Sequence, residues 1–162
     1  MNVRSTLLGI AVLALLAAGA WWARSPSAPS SAVEGTPGAA AADDALPDVT
    51  LADGSVDAGD VRVTLSLTPQ PPVAFAKMRV RVRAETGGAP VTIDSGRVWF
   101  EMVMPMGDHR YSLIPADQGW QTAEVVLPLC PSGKRRWYAT VEGTVAGRPR
   151  TARFRLDLAV PK

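Results

Sequence analysis

Residues 49–162 predict an all-β domain, an immunoglobulin-like β-sandwich of 7–9 strands, and three observations carry that prediction. From Val49 onward apolar residues recur with a period of two, the spacing that puts alternate side chains on one face of a strand. Breaks built from Gly, Pro and Asp follow at short intervals. No long stretch carries the 3.6-residue repeat of an amphipathic helix. Short strands with regular turn signals over about 110 residues make the pattern of a sandwich.

Val61, Val63, Leu65 and Leu67 alternate with Arg62, Thr64 and Ser66, a half-buried strand that Pro69, Pro71 and Pro72 end by withholding backbone donors. Met78, Val80 and Val82 then alternate with Lys77, Arg79, Arg81 and Arg83 as far as Gly87-Gly88. Val91 and Ile93 form a short strand expected to turn at Asp94-Ser95-Gly96. On the next strand Val98, Phe100 and Met102 face one way and Trp99, Glu101 and Val103 the other. Strands over 111–114, 120–127, 136–145 and 151–158 complete the set. The Arg79/Arg81/Arg83 row and the Arg148/Arg150/Arg153/Arg155 row read as solvent faces, charged to discourage edge pairing. They lack interleaved stacking aromatics, so nucleic acid is not an expected partner.

Ahead of the domain, Arg4 precedes an uncharged run over residues 7–23, closed by Trp21, Trp22 and Arg24. Such a run is near the lower limit for crossing a bilayer, and its aromatic and basic end suits a membrane interface. Residues 1–24 are therefore expected to be an uncleaved membrane anchor. The alternative is a cleaved secretory signal, since Ala18-Gly19-Ala20 fits the small-x-small cleavage pattern. Either reading sends the rest of the chain out of the cytoplasm, to the periplasmic side of an inner membrane or free in the periplasm. Residues 25–48 are Ser, Ala, Pro and Gly with four acids (Glu34, Asp43, Asp44, Asp48) and no Lys or Arg, the composition of a flexible linker. Residues 49–162 hold 15 basic and 11 acidic residues, and the whole chain carries +2, too little to argue for nucleic acid or acidic substrates.

The chemistry gathers in two short segments. Glu101-Met102-Val103-Met104-Pro105-Met106-Gly107-Asp108-His109 holds three of the five Met and the only His, and Leu127-Pro128-Leu129-Cys130-Pro131-Ser132-Gly133 holds the only Cys. Met102 is read as a core residue, a gap-filler continuing the Val98/Phe100 face. Met104 and Met106 fall where Pro105 and Gly107 end the strand, at the rim, and His109 opens the return strand beside them. One Cys excludes an internal disulfide, and a lone thiol outside the cytoplasm calls for burial or ligation. Thioether, imidazole and thiolate are donors that Cu(I) prefers. Met104, Met106, His109 and Cys130 are the candidate metal ligands, with Met102 as a further sulfur. Zinc favours more His, Cys or carboxylate than this, and iron–sulfur clusters need more thiolates.

These residues resemble a family. Met102-Val-Met-Pro-Met106-Gly-Asp-His109, Gly119-Trp120, Leu127-Pro-Leu-Cys-Pro-Ser-Gly133 and Trp137 are similar to the pattern of FixH-like and YtkA-like membrane-anchored periplasmic β-sandwich proteins. The resemblance spans residues 98–158 and the shared plan of one anchor and one exported β domain. It implies an immunoglobulin-like sandwich and a link to copper supply or to cytochrome oxidase assembly. The N-terminal His of CopC-type copper carriers is absent, which argues against a Cu(II) site of that kind.

Enzyme readings fail on inventory. There is one His, with no Gly-x-Ser-x-Gly, P-loop, dinucleotide fingerprint, CxxC or HExxH, and Asp108 reads as a turn residue. The expectation is a membrane-anchored periplasmic protein that binds or relays Cu(I), with a protein partner in the periplasm or inner membrane and no small-molecule substrate. The alternative is a metal-free adaptor that docks on a membrane complex.

Overall fold

The computed structural model describes residues 45–161. The expected anchor over 1–24 and residues 25–44 of the linker lie outside the described residues.

Among the described residues ten strands, one more than the 7–9 expected, form two antiparallel sheets, so the all-β expectation holds: β1 (Gly54–Ala58), β2 (Val61–Thr68), β3 (Met78–Thr86), β4 (Ala89–Val91), β5 (Asp94–Glu101), β6 (His109–Ser112), β7 (Ile114–Pro115), β8 (Trp120–Val125), β9 (Arg136–Val145) and β10 (Arg148–Asp157). One sheet runs β1-β2-β3-β8-β7, with β4 paired to β3, and the other runs β10-β9-β5-β6. No α-helix occurs among the described residues.

The period-two reading places the core. Val61, Val63, Leu65 and Leu67 on β2 and Met78, Val80 and Val82 on β3 are buried. Val98 and Phe100 on β5, Trp137, Ala139 and Val141 on β9, and Ala152, Phe154 and Leu156 on β10 meet them from the opposite sheet in one continuous cluster. Each large apolar side chain so buried contributes about 1.5–3 kcal/mol relative to exposure.

Three details depart from the sequence reading. The strand β1 was not expected; it pairs with β2 from Gly54↔Leu65 to Ala58↔Val61. Asp94-Ser95-Gly96 is not a turn between strands but the start of β5, where the register against β9 shifts between Asp94 and Arg97. This irregularity fits over Gly143 of β9: a Cβ there would collide with Ile93 and lie 3.1 Å from the Asp94 carbonyl oxygen. Third, β5 ends at Glu101, so Met102 lies beyond the strand, half-buried and packed on the border of the core.

The arginine rows are largely neutralised or stacked. Arg83 pairs with Glu85 at 2.9 Å, and Arg81 lies over the Trp120 ring at 4.4 Å. Arg150 pairs with Asp60, and Arg153 reaches Glu101 at 2.9 Å. The end of the expected linker joins the domain at the β10 edge, where Arg155 donates to the Pro47 carbonyl (3.0 Å) and Val49 donates to the Arg155 carbonyl (2.9 Å). Asp48 caps this turn by accepting from the Thr50 N–H at 2.9 Å and stands 3.4 Å from Arg155. Burial pushes the Asp48 carboxyl upward, but the Thr50 hydrogen bonds and the Arg155 and Arg136 charges outweigh it, and the pKa lies below the ordinary carboxylate value.

Candidate metal centre

Both Met- and Cys-bearing segments are loops at one end of the sandwich. Residues 102–108 connect β5 to β6, and 126–135 connect β8 to β9. Their ends are neighbours because Glu101 pairs with Tyr138 and Phe100 with both Ala139 and His109.

Local chemistry shapes each loop. Pro105 has no N–H to continue a ladder, and Gly107 turns the chain with φ of 96°, a conformation in which a side chain would be strained. In the other loop the Gly133 N–H donates to the Cys130 carbonyl at 2.9 Å, closing a turn with Pro131 at its second position. That turn folds the Ser132 side chain back on the thiol two residues earlier.

The contacts centre on Ser132. Its Oγ lies 3.0 Å from the Cys130 Sγ and donates to the Met104 Sδ at 3.9 Å. The two sulfurs therefore face the same hydroxyl from different loops, no farther apart than those distances together. Cys130 is 3% exposed, yet it stands outside the continuous apolar core, whereas Met104 is 41% exposed. The Cys130 pKa is lowered. Hydrogen bonds from the Ser132 hydroxyl and backbone are the main causes, with help from the Lys134 charge and backbone, against the opposing effect of burial.

His109 is anchored differently. Its Nε2 is 3.0 Å from the Met106 carbonyl oxygen. A carbonyl cannot donate, so Nε2 carries the proton and a neutral ring has its lone pair on Nδ1. This is how a backbone carbonyl orients an imidazole that ligates through its other nitrogen. The ring also meets Trp137 edge-on, with centroids 5.3 Å apart. The Met106 side chain, like that of Met102, is half-buried against the core.

The structure thus joins Met104 to Cys130 through Ser132, and His109 to the Met106 backbone. The residue missed by sequence reading is Ser132. Its signal was the hydroxyl two positions after Cys130 in a Pro-Ser-Gly turn, a spacing at which Ser bonds its local surroundings.

A thiolate, a thioether and an imidazole nitrogen suit Cu(I) by softness. Among the described residues no three of His, Cys, Asp and Glu gather into one group. Comparison with protein-family models, curated proteins and solved structures gave no match.

Proposed function

We propose that this protein binds and relays Cu(I) on the periplasmic side of an inner membrane, held there by residues 1–24. The observation that carries the reading is the Ser132 hydroxyl shared by the Cys130 and Met104 sulfurs. Cys130 supplies the thiolate, Met104 the first thioether, and His109 or Met106 the remaining donor. Cu(I) accepts such low-coordinate, sulfur-rich sites. Support of cytochrome oxidase assembly belongs to this reading through the family resemblance alone.

The finer fold assignment is also part of the proposal. The order β2-β3-β8-β7 against β10-β9-β5-β6 corresponds to the ABED and GFC strands of an immunoglobulin-like sandwich, with β6 extending the second sheet and β1 added to the first.

The test is metal content. The full-length chain, purified in mild detergent, is loaded anaerobically with Cu(I) and desalted. About one copper per chain is expected, lost in Cys130→Ser and reduced in Met104→Leu. A wild-type chain that retains no copper overturns the proposal. The packing of Met102 and Met106 on the core and of His109 on Trp137 favours a second reading, a metal-free adaptor, which predicts that outcome.

A further inference from the structure

Beside Met104 the surface opens into a cleft of about 320 Å³. Met102, Val103 and Met104 line it together with Lys134, Arg135 and Arg136. Tyr138 and Asp157 complete the lining. The volume is at the lower end of the roughly 300–1,000 Å³ of small-ligand pockets, enough for side chains of a partner.

The charges facing this cleft do not cancel. Arg136 is held by Asp157 at 3.3 and 3.4 Å. The nearby carboxylates are also engaged: Glu101 pairs with Arg153 at 2.9 Å and Asp108 with Arg110 at 3.2 Å. Lys134 and Arg135 form no ion pair among the described residues. In the same lining, Val103 is 76% exposed and Met104 41% exposed. Neither lies in the core cluster, so this exposed apolar pair does not serve the fold.

We propose that the cleft is the docking surface of an acidic, methionine-bearing protein segment. Its carboxylates pair with Lys134 and Arg135, and its apolar side chains cover Val103 and Met104. The methionine requirement rests on the copper reading, because a thioether placed beside Met104 allows the cargo to pass by ligand exchange. One copper–sulfur bond forms as another breaks, with no change of oxidation state. The charge and apolar complementarity stand without it.

The probe is a labelled synthetic peptide alternating Asp-Glu pairs with Met, titrated into the metal-free full-length chain and followed by fluorescence anisotropy. Micromolar binding that weakens as salt rises is expected. Lys134→Glu/Arg135→Glu weakens it by about tenfold or more, and Arg135→Glu alone weakens it while the copper retained per chain stays at the wild-type level. Binding that ignores both salt and the double reversal overturns the surface. Equal removal of copper from the Cu(I)-loaded chain by this peptide and by one with Leu in place of Met overturns the methionine requirement. Peptide binding that appears only after Glu34, Asp43 and Asp44 are changed to Asn makes the chain's own linker the occupant and overturns an external partner. Self-association abolished by the double reversal assigns the surface to a second copy, with the same consequence. A chain that binds the peptide but retains no copper keeps the surface and overturns the copper reading instead.

Discussion

Ser132 contributes its one hydroxyl proton to either of two sulfurs. While Cys130 is a thiol either group can donate across their 3.0 Å contact, and once it ionises only the Ser132 hydroxyl can, to the thiolate. Hydrogen bonding to the charged form favours it, which is why the thiol pKa is lowered. Ser132→Ala therefore moves the alkylation of Cys130 by iodoacetamide to higher pH and slows it at neutral pH, where the thiolate fraction falls. An unchanged pH–rate profile removes Ser132 from this role. Asp48 gives the opposite readout, on stability. Its carboxyl is lowered in the folded state, so its stabilising effect is full above the unfolded value near 3.8 and is lost as pH falls through the lower folded value. The group is partly exposed and the ion pair loose, so the contribution is at most about 1 kcal/mol. Asp48→Asn should lower the urea midpoint slightly at pH 7 and match wild type at the acid end. A difference that persists unchanged at low pH excludes the charge as its source. The sequence made Cys130 and Met104 legible because soft donors are rare and clustered, but it hid Ser132, whose type is common in any turn.

At the scale of elements, the tightest fit is β9 against the start of β5. Gly143 leaves the room into which Ile93 and the Asp94–Gly96 segment pack. Gly143→Ala should cost about 1–3 kcal/mol as an overpacking change, read as a lower urea midpoint with the slope kept. A neutral result would mean that β5 shifts freely over β9. This same segment explains where sequence reading stopped. Asp-Ser-Gly has the composition of a turn, and Ser95 does adopt a positive φ of 52°, yet pairing with β9 resumes at Arg97 and the chain continues as one strand. The strand β1 escaped because Gly54-Ser55-Val56-Asp57-Ala58 offers only one large apolar residue. Its place is set by pairing to β2 and by Gly54 seated against Val49 and Pro47, contacts that alternation does not encode. By contrast β2, β3 and the second half of β10 were readable from alternation, since each buries every second residue against the opposite sheet, whereas β9 buries five residues in a row from Trp137 to Val141.

Considered whole, the domain separates what holds it together from what the proposed chemistry uses. The continuous core runs through both sheets and contains none of Met104, Met106, His109 and Cys130, with Met106 only packed at its border. A metal at the loop end is therefore not required to complete the fold, in contrast to small metallo-domains that are unfolded without their ion. Trp137 links the two regions: it is fully buried in the core and meets the His109 ring edge-on. Two consequences distinguish a carrier from a structural metal protein. Without copper, wild type, Met104→Leu and Cys130→Ser should all unfold cooperatively, Met104→Leu within about 0.5 kcal/mol of wild type because its site is exposed and Cys130→Ser about 1–3 kcal/mol lower because its site is buried. With free Cu(I) held at about 100 times its dissociation constant, wild type should gain about 2.7 kcal/mol and Cys130→Ser nothing comparable. Thermal unfolding with and without Cu(I), under anaerobic conditions, reads both at once. A metal-free wild type without a cooperative transition would make the ion part of the fold, and a core this continuous argues that the transition will be there.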